Sequence, residues 1–181
     1  MAAIVAGDIL FKYATTAGAA GNTNTSTALT SLGKYISTTA WAGGTANDLF
    51  DDITGAENAA SQVDYRCIFI HNNNAANDYQ SVVAYLSAEV AGGANIAIGV
   101  DTTAASAIGS ATAQALTIAS TTTAPAGVTF SSPTTAGTGI SVGTIPVGYC
   151  KAIWVRRTAT NSAALSNDGV TIAVSGDTGS L

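Results

Sequence analysis

His71 is the only histidine of the chain, and any Ser-His-Asp or Cys-His nucleophile would have to be built on it. It stands directly before three asparagines, at 72–74, where a strand gives way to a turn. With no second histidine, the usual zinc sites are nearly excluded. The sequence assigns His71 to packing or to the turn. Asp48, Asp51, Asp52 and Glu57 are the one acidic cluster. Calcium needs six or more converging oxygens, and the alternating Asp-x-Asp-x-Asp-Gly spacing of a calcium loop is absent. A glycosidase pair has no visible cleft to flank. Cys67 and Cys150 fall on separate predicted strands, and the tryptophans at 41 and 154 lie outside rather than between them, unlike the immunoglobulin pattern. The glycines at 137, 139 and 143 lack the spacing and the following Lys-Ser or Lys-Thr of a phosphate loop. These residues predict no catalytic, cofactor or metal site, and hence a protein that is not an enzyme.

What remains is chemistry of contact. Trp41, Tyr13, Tyr35 and Tyr79 could line a sugar-binding surface, although aromatics are equally what protein interfaces prefer. Arg156 and Arg157 are adjacent on a predicted strand, so their side chains point to opposite faces. One of the two is then expected to be buried or at an interface, with a carboxylate partner. Trp41, Tyr79, Arg156 and Arg157 are the interface candidates.

The elements that must carry these residues are mostly strands. In I-P-V-G-Y-C-K-A-I-W-V-R-R-T, residues 145–158, Pro146 and Gly148 make a turn. A strand follows with Ile153 and Val155 on one face and Cys150, Ala152 and Trp154 on the other. Residues 64–71 alternate likewise, Tyr65, Cys67 and Phe69 against Ile68 and Ile70, and apolar content on both faces predicts a central strand. Further strands are expected at 8–13, 33–38, 80–90, 95–100, 113–119, 127–131, 139–145 and 168–175, with an Asn-rich turn at 72–78. Thr45 followed by Asp48, with Leu49, Phe50 and Ile53 as a stripe, predicts a short helix over 45–53 stopped by Gly55, and a second short turn is possible at 56–61. Residues 14–31 hold almost no bulky apolar side chain and read as an arm ordered against a neighbour. The expected fold is all-β: an antiparallel β-sandwich, jelly-roll or Ig-like, with one short helix and an extended N-terminal arm. Within a single domain, 1–44 form the N-terminal strand and arm, 45–62 the helical segment, and 63–181 the sandwich core.

Composition sets the partners. Only 9% of the 181 residues are charged, against roughly 25% in ordinary globular proteins. The apolar share of 47% is swollen by alanine, which buries little area. A polar but uncharged surface is poorly soluble alone and suits an assembly. A net charge of −5 with six basic residues argues against nucleic acid. No apolar run approaches a membrane span of ~20 residues. The N-terminal M-A-A-I-V-A-G-D lacks a basic region, so no signal peptide is expected; a cytosolic product would keep both cysteines reduced.

The segments N-D-L-F-D-D-I-T-G-A-E-N-A-A, V-D-Y-R-C-I-F-I-H-N, V-A-G-G-A-N-I-A-I-G-V-D, T-A-P-A-G-V-T-F-S-S-P and I-P-V-G-Y-C-K-A-I-W-V-R-R-T resemble small virion structural proteins of tailed bacteriophages. The resemblance runs from residue 8 to 178 and is strongest between 47 and 158. Within that class it looks like a capsid decoration, or cement, protein. This implies a chain made in the host cytoplasm that binds the major capsid protein on the capsid surface and stabilises the capsomer lattice. It also implies a homo-oligomer, with a trimer favoured, and no cofactor. A tail or baseplate adhesin that holds carbohydrate is the alternative.

Overall fold

The computed structural model describes residues 3–179. Nine strands form two antiparallel sheets: β1 (Ile9–Thr15), β2 (Tyr35–Ala40), β3 (Val63–Asn72), β4 (Asp78–Glu89), β5 (Asn95–Val100), β6 (Ser106–Ala107), β7 (Ile140–Ile145), β8 (Tyr149–Thr158) and β9 (Val170–Gly179). The large sheet runs β2-β1-β3-β8-β5, with β6 also paired to β8, and the small sheet runs β7-β4-β9. The expected all-β sandwich is therefore the fold. Its core draws on the N-terminal strands as well as on residues after 63, because β1 pairs with β3 from Ile9↔Asn72 to Tyr13↔Ile68.

The central strands β3 and β8 explain why both of their faces are apolar. Ile68, Ile70, Ile153 and Val155 point between the sheets, where they meet Val82, Ala84 and Leu86 of β4, Ile145 of β7 and Ile172 of β9. Cys67, Phe69, Cys150, Ala152 and Trp154 form a second core on the far face with Ile36, Ala115 and Ile118. Among the described residues no third sheet covers that face. Irregular chain does so, from residues 16–34 and 101–131.

This irregular cover replaces two expected strands. Residues 113–119 and 127–131 contribute only the isolated bridges Gly33↔Thr117 and Ile98↔Ser131. Their apolar residues face one buried surface, but their backbone is committed to side-chain and loop partners. Gln114 alone bonds Ile36 N–H through its carbonyl at 3.0 Å and donates to the Ala107 carbonyl at 2.8 Å. The approach is close: a Cβ on Gly33, whose φ is +93°, would lie 1.8 Å from the Leu116 carbonyl oxygen. The predicted turn before β8 is present, with Gly148 at φ +71° and Tyr149 N–H bonded to the Pro146 carbonyl at 3.0 Å.

The helix expected over 45–53 is not formed. Asn47 takes φ +61°, which breaks helical continuity, and Leu49 and Phe50 are drawn into the open end of the sandwich. The α-helix α1 is Gly55–Ala59, one segment later. Its capping box is Thr54 and Glu57: Glu57 N–H bonds the Thr54 hydroxyl at 3.3 Å, and Thr54 N–H bonds the Glu57 carboxylate at 2.7 Å.

Residues 14–31 are likewise not an extended arm. They fold back on their own domain through polar contacts in place of apolar area. Ser31 Oγ accepts the Ala14 N–H at 2.7 Å and donates to the Cys67 carbonyl, and Ser26 Oγ donates to the Ala14 carbonyl. Both serines are buried.

Candidate functional site

The four interface candidates divide between the interior and the surface. Tyr79, on β4, is 6% exposed and belongs to the inter-sheet core, so it does not display its ring. Trp41, directly after β2, is half-buried and packs edge-on against Phe11 with ring centroids 5.8 Å apart. Arg156 and Arg157 point to opposite faces of β8 as alternation requires. Arg156 stacks over Phe130 at 5.3 Å on the far face. Arg157 is buried and takes the carboxylate partner it needs, Asp64 at 2.9 Å, with Asp51 at 3.4 Å. Tyr13 donates its hydroxyl to the Asp48 carbonyl, and Tyr35 donates to the Ala111 carbonyl at 2.9 Å. These aromatics form no shared platform.

Arg157 is one member of a group at one end of the inter-sheet core. Period-two alternation on β3 places Asp64 and Arg66 on the face of Ile68, and Arg157 follows Val155 on β8. Arg66 is 1% exposed, with its Nη1 on the Tyr65 carbonyl at 3.0 Å and its Nη2 4.0 Å from Asp51. The Phe50 ring receives both cations, Arg66 at 5.3 Å and Arg157 at 4.8 Å. The segment Leu49-Phe50-Asp51 thus plugs the sandwich end where the helix was expected. Arg66 was not among the predicted site residues. Its signal was a charge at an inward strand position two residues before Ile68.

On the far face Asp101 is the organising group, also missed. One of its oxygens accepts from Trp154 Nε1 at 2.7 Å and from Leu116 N–H at 2.9 Å, and the other accepts from Thr103 N–H at 2.7 Å. Its backbone carbonyl accepts from Lys151 Nζ at 2.7 Å. Burial lowers the Lys151 pKa against the opposing pull of Asp101.

His71 lies across from Cys150 on β8. The pair makes no catalytic dyad. Cys150 Sγ takes its contacts from Gln114 Nε2 at 3.4 Å and the Ser106 carbonyl at 3.6 Å, and His71 Nδ1 has no hydrogen-bond partner. Burial, helped by the charge of Lys12, pushes the His71 pKa down to about 4. Burial also pushes the Cys150 thiol up to about 12 and Cys67 well above its ordinary value. Cys67 opposes Trp154 while Cys150 opposes His71, so the thiols stand four register positions apart, roughly 13 Å at strand rise and beyond disulfide reach. Among the described residues no three His, Cys, Asp or Glu side chains gather as metal ligands, and no helix is long and apolar enough to cross a membrane.

One open feature of the surface is a groove of about 430 Å³ between the start of β1 and the edge of β9. Ile4, Val5, Ile9 and Phe11 form one wall, and Val174, Ser175 and Gly176 the other, with Tyr79 at the base. Val5 is 62% exposed. Ile4 N–H bonds the Thr178 hydroxyl at 3.0 Å and closes one end. The arrangement offers apolar area and a strand edge, which suits binding of a polypeptide rather than chemistry on a small molecule. Compared with protein-family models, curated proteins and solved structures, the chain matches none of them.

Proposed function

We propose that this chain is a structural protein of a tailed-phage particle that binds the outside of the capsid, contacts the major capsid protein and stabilises the capsomer lattice, acting as a homo-oligomer with a trimer favoured. It is made in the host cytoplasm, ends on the virion surface and works by contact, without cofactor, nucleic acid or membrane. The observation that carries the reading is the apolar groove beside the bare edge of β9, on a sandwich otherwise wrapped by its own loops. The resemblance of the segments quoted above and the charge-poor surface support it. The carbohydrate-binding alternative gains nothing from Trp41 and Tyr79, since one lies edge-on against Phe11 and the other is buried.

A ligand that binds only the assembled lattice stabilises it by mass action, about 2.7 kcal/mol per site at a hundredfold excess over Kd. With so few charges, that binding depends little on salt. The test strips the protein from particles, measures heat-induced genome release, and restores it at low and high salt. A higher rupture temperature on restoration, similar at both salts, is expected. Equal thresholds with and without the protein remove the cement role.

A further inference from the structure

The chain protects its sheet edges unevenly. The outer edge of β2 is covered by its own loop: Asn22 N–H bonds the Ile36 carbonyl at 2.7 Å, and Thr38 N–H bonds the Asn24 carbonyl at 2.9 Å. The outer edge of β5 is covered by Ser131, which exchanges two bonds with Ile98 at 2.9 and 3.0 Å. β7 is short, and its ladder with β4 shifts register beside Gly143, at φ +87°. β9 has none of these devices. The register shifts of the β4–β9 pair place the extra residues on β4, so β9 itself runs unbulged through 170–177. Over 172–176 its backbone makes no hydrogen bond beyond the β4 ladder among the described residues.

The direction of the free groups follows from the register. Leu86 N–H donates to the Pro133 carbonyl at 2.7 Å, so Leu86 faces away from β9. Its opposite residue, Ile172, therefore turns its own N–H and C=O away from β4, and Val174 does the same two residues on. These groups open beside the groove. Six strands in the large sheet, five of them side by side, also face only three in the small one. β7 packs against β5 and β8, and β9 meets β1 across the groove, so β2 projects beyond the small sheet. A strand added to β9 would lie ~4.8 Å outward, over that projecting wing.

We infer that the β9 edge and the Ile4–Val5–Ile9–Phe11 groove accept one extended segment of a protein partner as a fourth strand of the small sheet. The inference takes from the proposed function only that the partner is a protein. The segment's alternate side chains are apolar, to enter the groove. A basic residue flanks them, because Asp8 beside Ile9 and Asp177 beside Gly176 place a carboxylate on each wall, while Lys12, beside Phe11, is held by Asn22 at 2.9 Å. A second copy's β9 does not fit. Pairing two β9 edges about a two-fold puts both large sheets under one composite sheet, where their projecting β1–β2 wings would occupy the same space. The donor is a single strand.

The test selects random octapeptides from a display library on the full-length chain, then measures affinity and amide hydrogen exchange. Enrichment of alternating β-branched or aromatic residues with a flanking Lys or Arg is expected, together with protection of the Ile172 and Val174 amides on binding. Val174→Pro removes one outward N–H at an edge, where proline is tolerated, and weakens binding more than tenfold. Val5→Lys, at a residue too exposed to disturb folding, does the same by placing a cation in the apolar groove against the partner's basic flank. Failure to enrich such peptides, unprotected β9 amides, or equal binding by both variants overturns the inference. So does protection of those amides by raising protein concentration alone, which would make a second copy the occupant. No particle enters this assay: its failure removes the groove as a contact surface, whereas the capsid role is read separately from genome release, and loss of the capsid role leaves the groove standing.

Discussion

Trp154 and Asp101, 53 residues apart in sequence, meet at 2.7 Å in the interior, indole N–H to carboxylate. The same carboxylate holds the backbone of Leu116 and Thr103, so one side chain fastens the irregular cover of the far face to the central strand. Asp101→Ala is expected to cost about 3–5 kcal/mol, because one buried and two half-buried donors lose a charged acceptor together. Asp101→Asn keeps the shape but turns an amide toward at least one donor, and falls between. Urea unfolding midpoints, followed by tryptophan fluorescence, check the order.

Asp64 and Arg157 form the other buried polar joint. Asp64→Ala leaves the Arg157 cation without its nearest carboxylate and is expected to destabilise by about 3–5 kcal/mol. Asp51 is 58% exposed in its side chain, so Asp51→Ala costs no more than about 1 kcal/mol. The paired replacement Asp64→Leu with Arg157→Met recovers most of the loss. A double-mutant cycle by thermal melting measures it, and additive single effects would refute the coupling.

The segment 14–31 is now expected to be part of the fold. Ser31→Ala removes the acceptor of the Ala14 N–H and the donor to the Cys67 carbonyl, at a cost of about 1–3 kcal/mol. Deleting 16–30 unfolds the isolated chain, read as loss of chemical-shift dispersion. A folded deletion product would restore the detachable arm.

His71 gives the fold a pH dependence of known sign. Its folded pKa is about 4, below the unfolded value near 6.5, so the unfolded chain takes up the proton first. Stability is fully present above pH 6.5 and falls as pH drops toward 4, by an amount on the order of 2 kcal/mol. Lys12, whose charge acts in the same sense, remains protonated throughout that window. His71→Phe flattens the profile between pH 6.5 and 4; an unchanged slope would assign the effect elsewhere.

Cys67 and Cys150 are both free and buried, and burial holds both as thiols. Alkylation of the native protein is expected to be more than about 100-fold slower than in denaturant, with two thiols titrating once unfolded. Fewer than two would indicate oxidation.

The readable parts of the fold were those where local pattern and long-range packing agree. β3 and β8 carry apolar residues on both faces, and the structure buries both. The turn at Pro146 and Gly148 needs only its own residues. Thr45 and Asp48 offered a capping signature, but Phe50 packs beneath Arg66 and Arg157, and the helix forms at Gly55–Ala59, overlapping the short turn expected at 56–61. Residues 113–131 have strand-like composition, yet the backbone of 114–118 bonds the Asp101 carboxylate and the carbonyls of Leu32 and Lys34 around Gly33. Nothing in local pattern reveals those. The groove was invisible for the same reason, since its walls come from opposite ends of the sequence.

The β3–β8 ladder has a consequence for biosynthesis. Ile68 pairs with Ile153, about 85 residues later in the chain. At translation rates of 5–20 residues per second, β3 waits roughly 4–17 s for its partner after it is made. During that interval a strand destined to be covered on both faces has only β1 beside it. The nascent chain therefore leaves the ribosome with its most aggregation-prone segment half-paired, and its yield is governed by whatever shields that segment until β8 arrives.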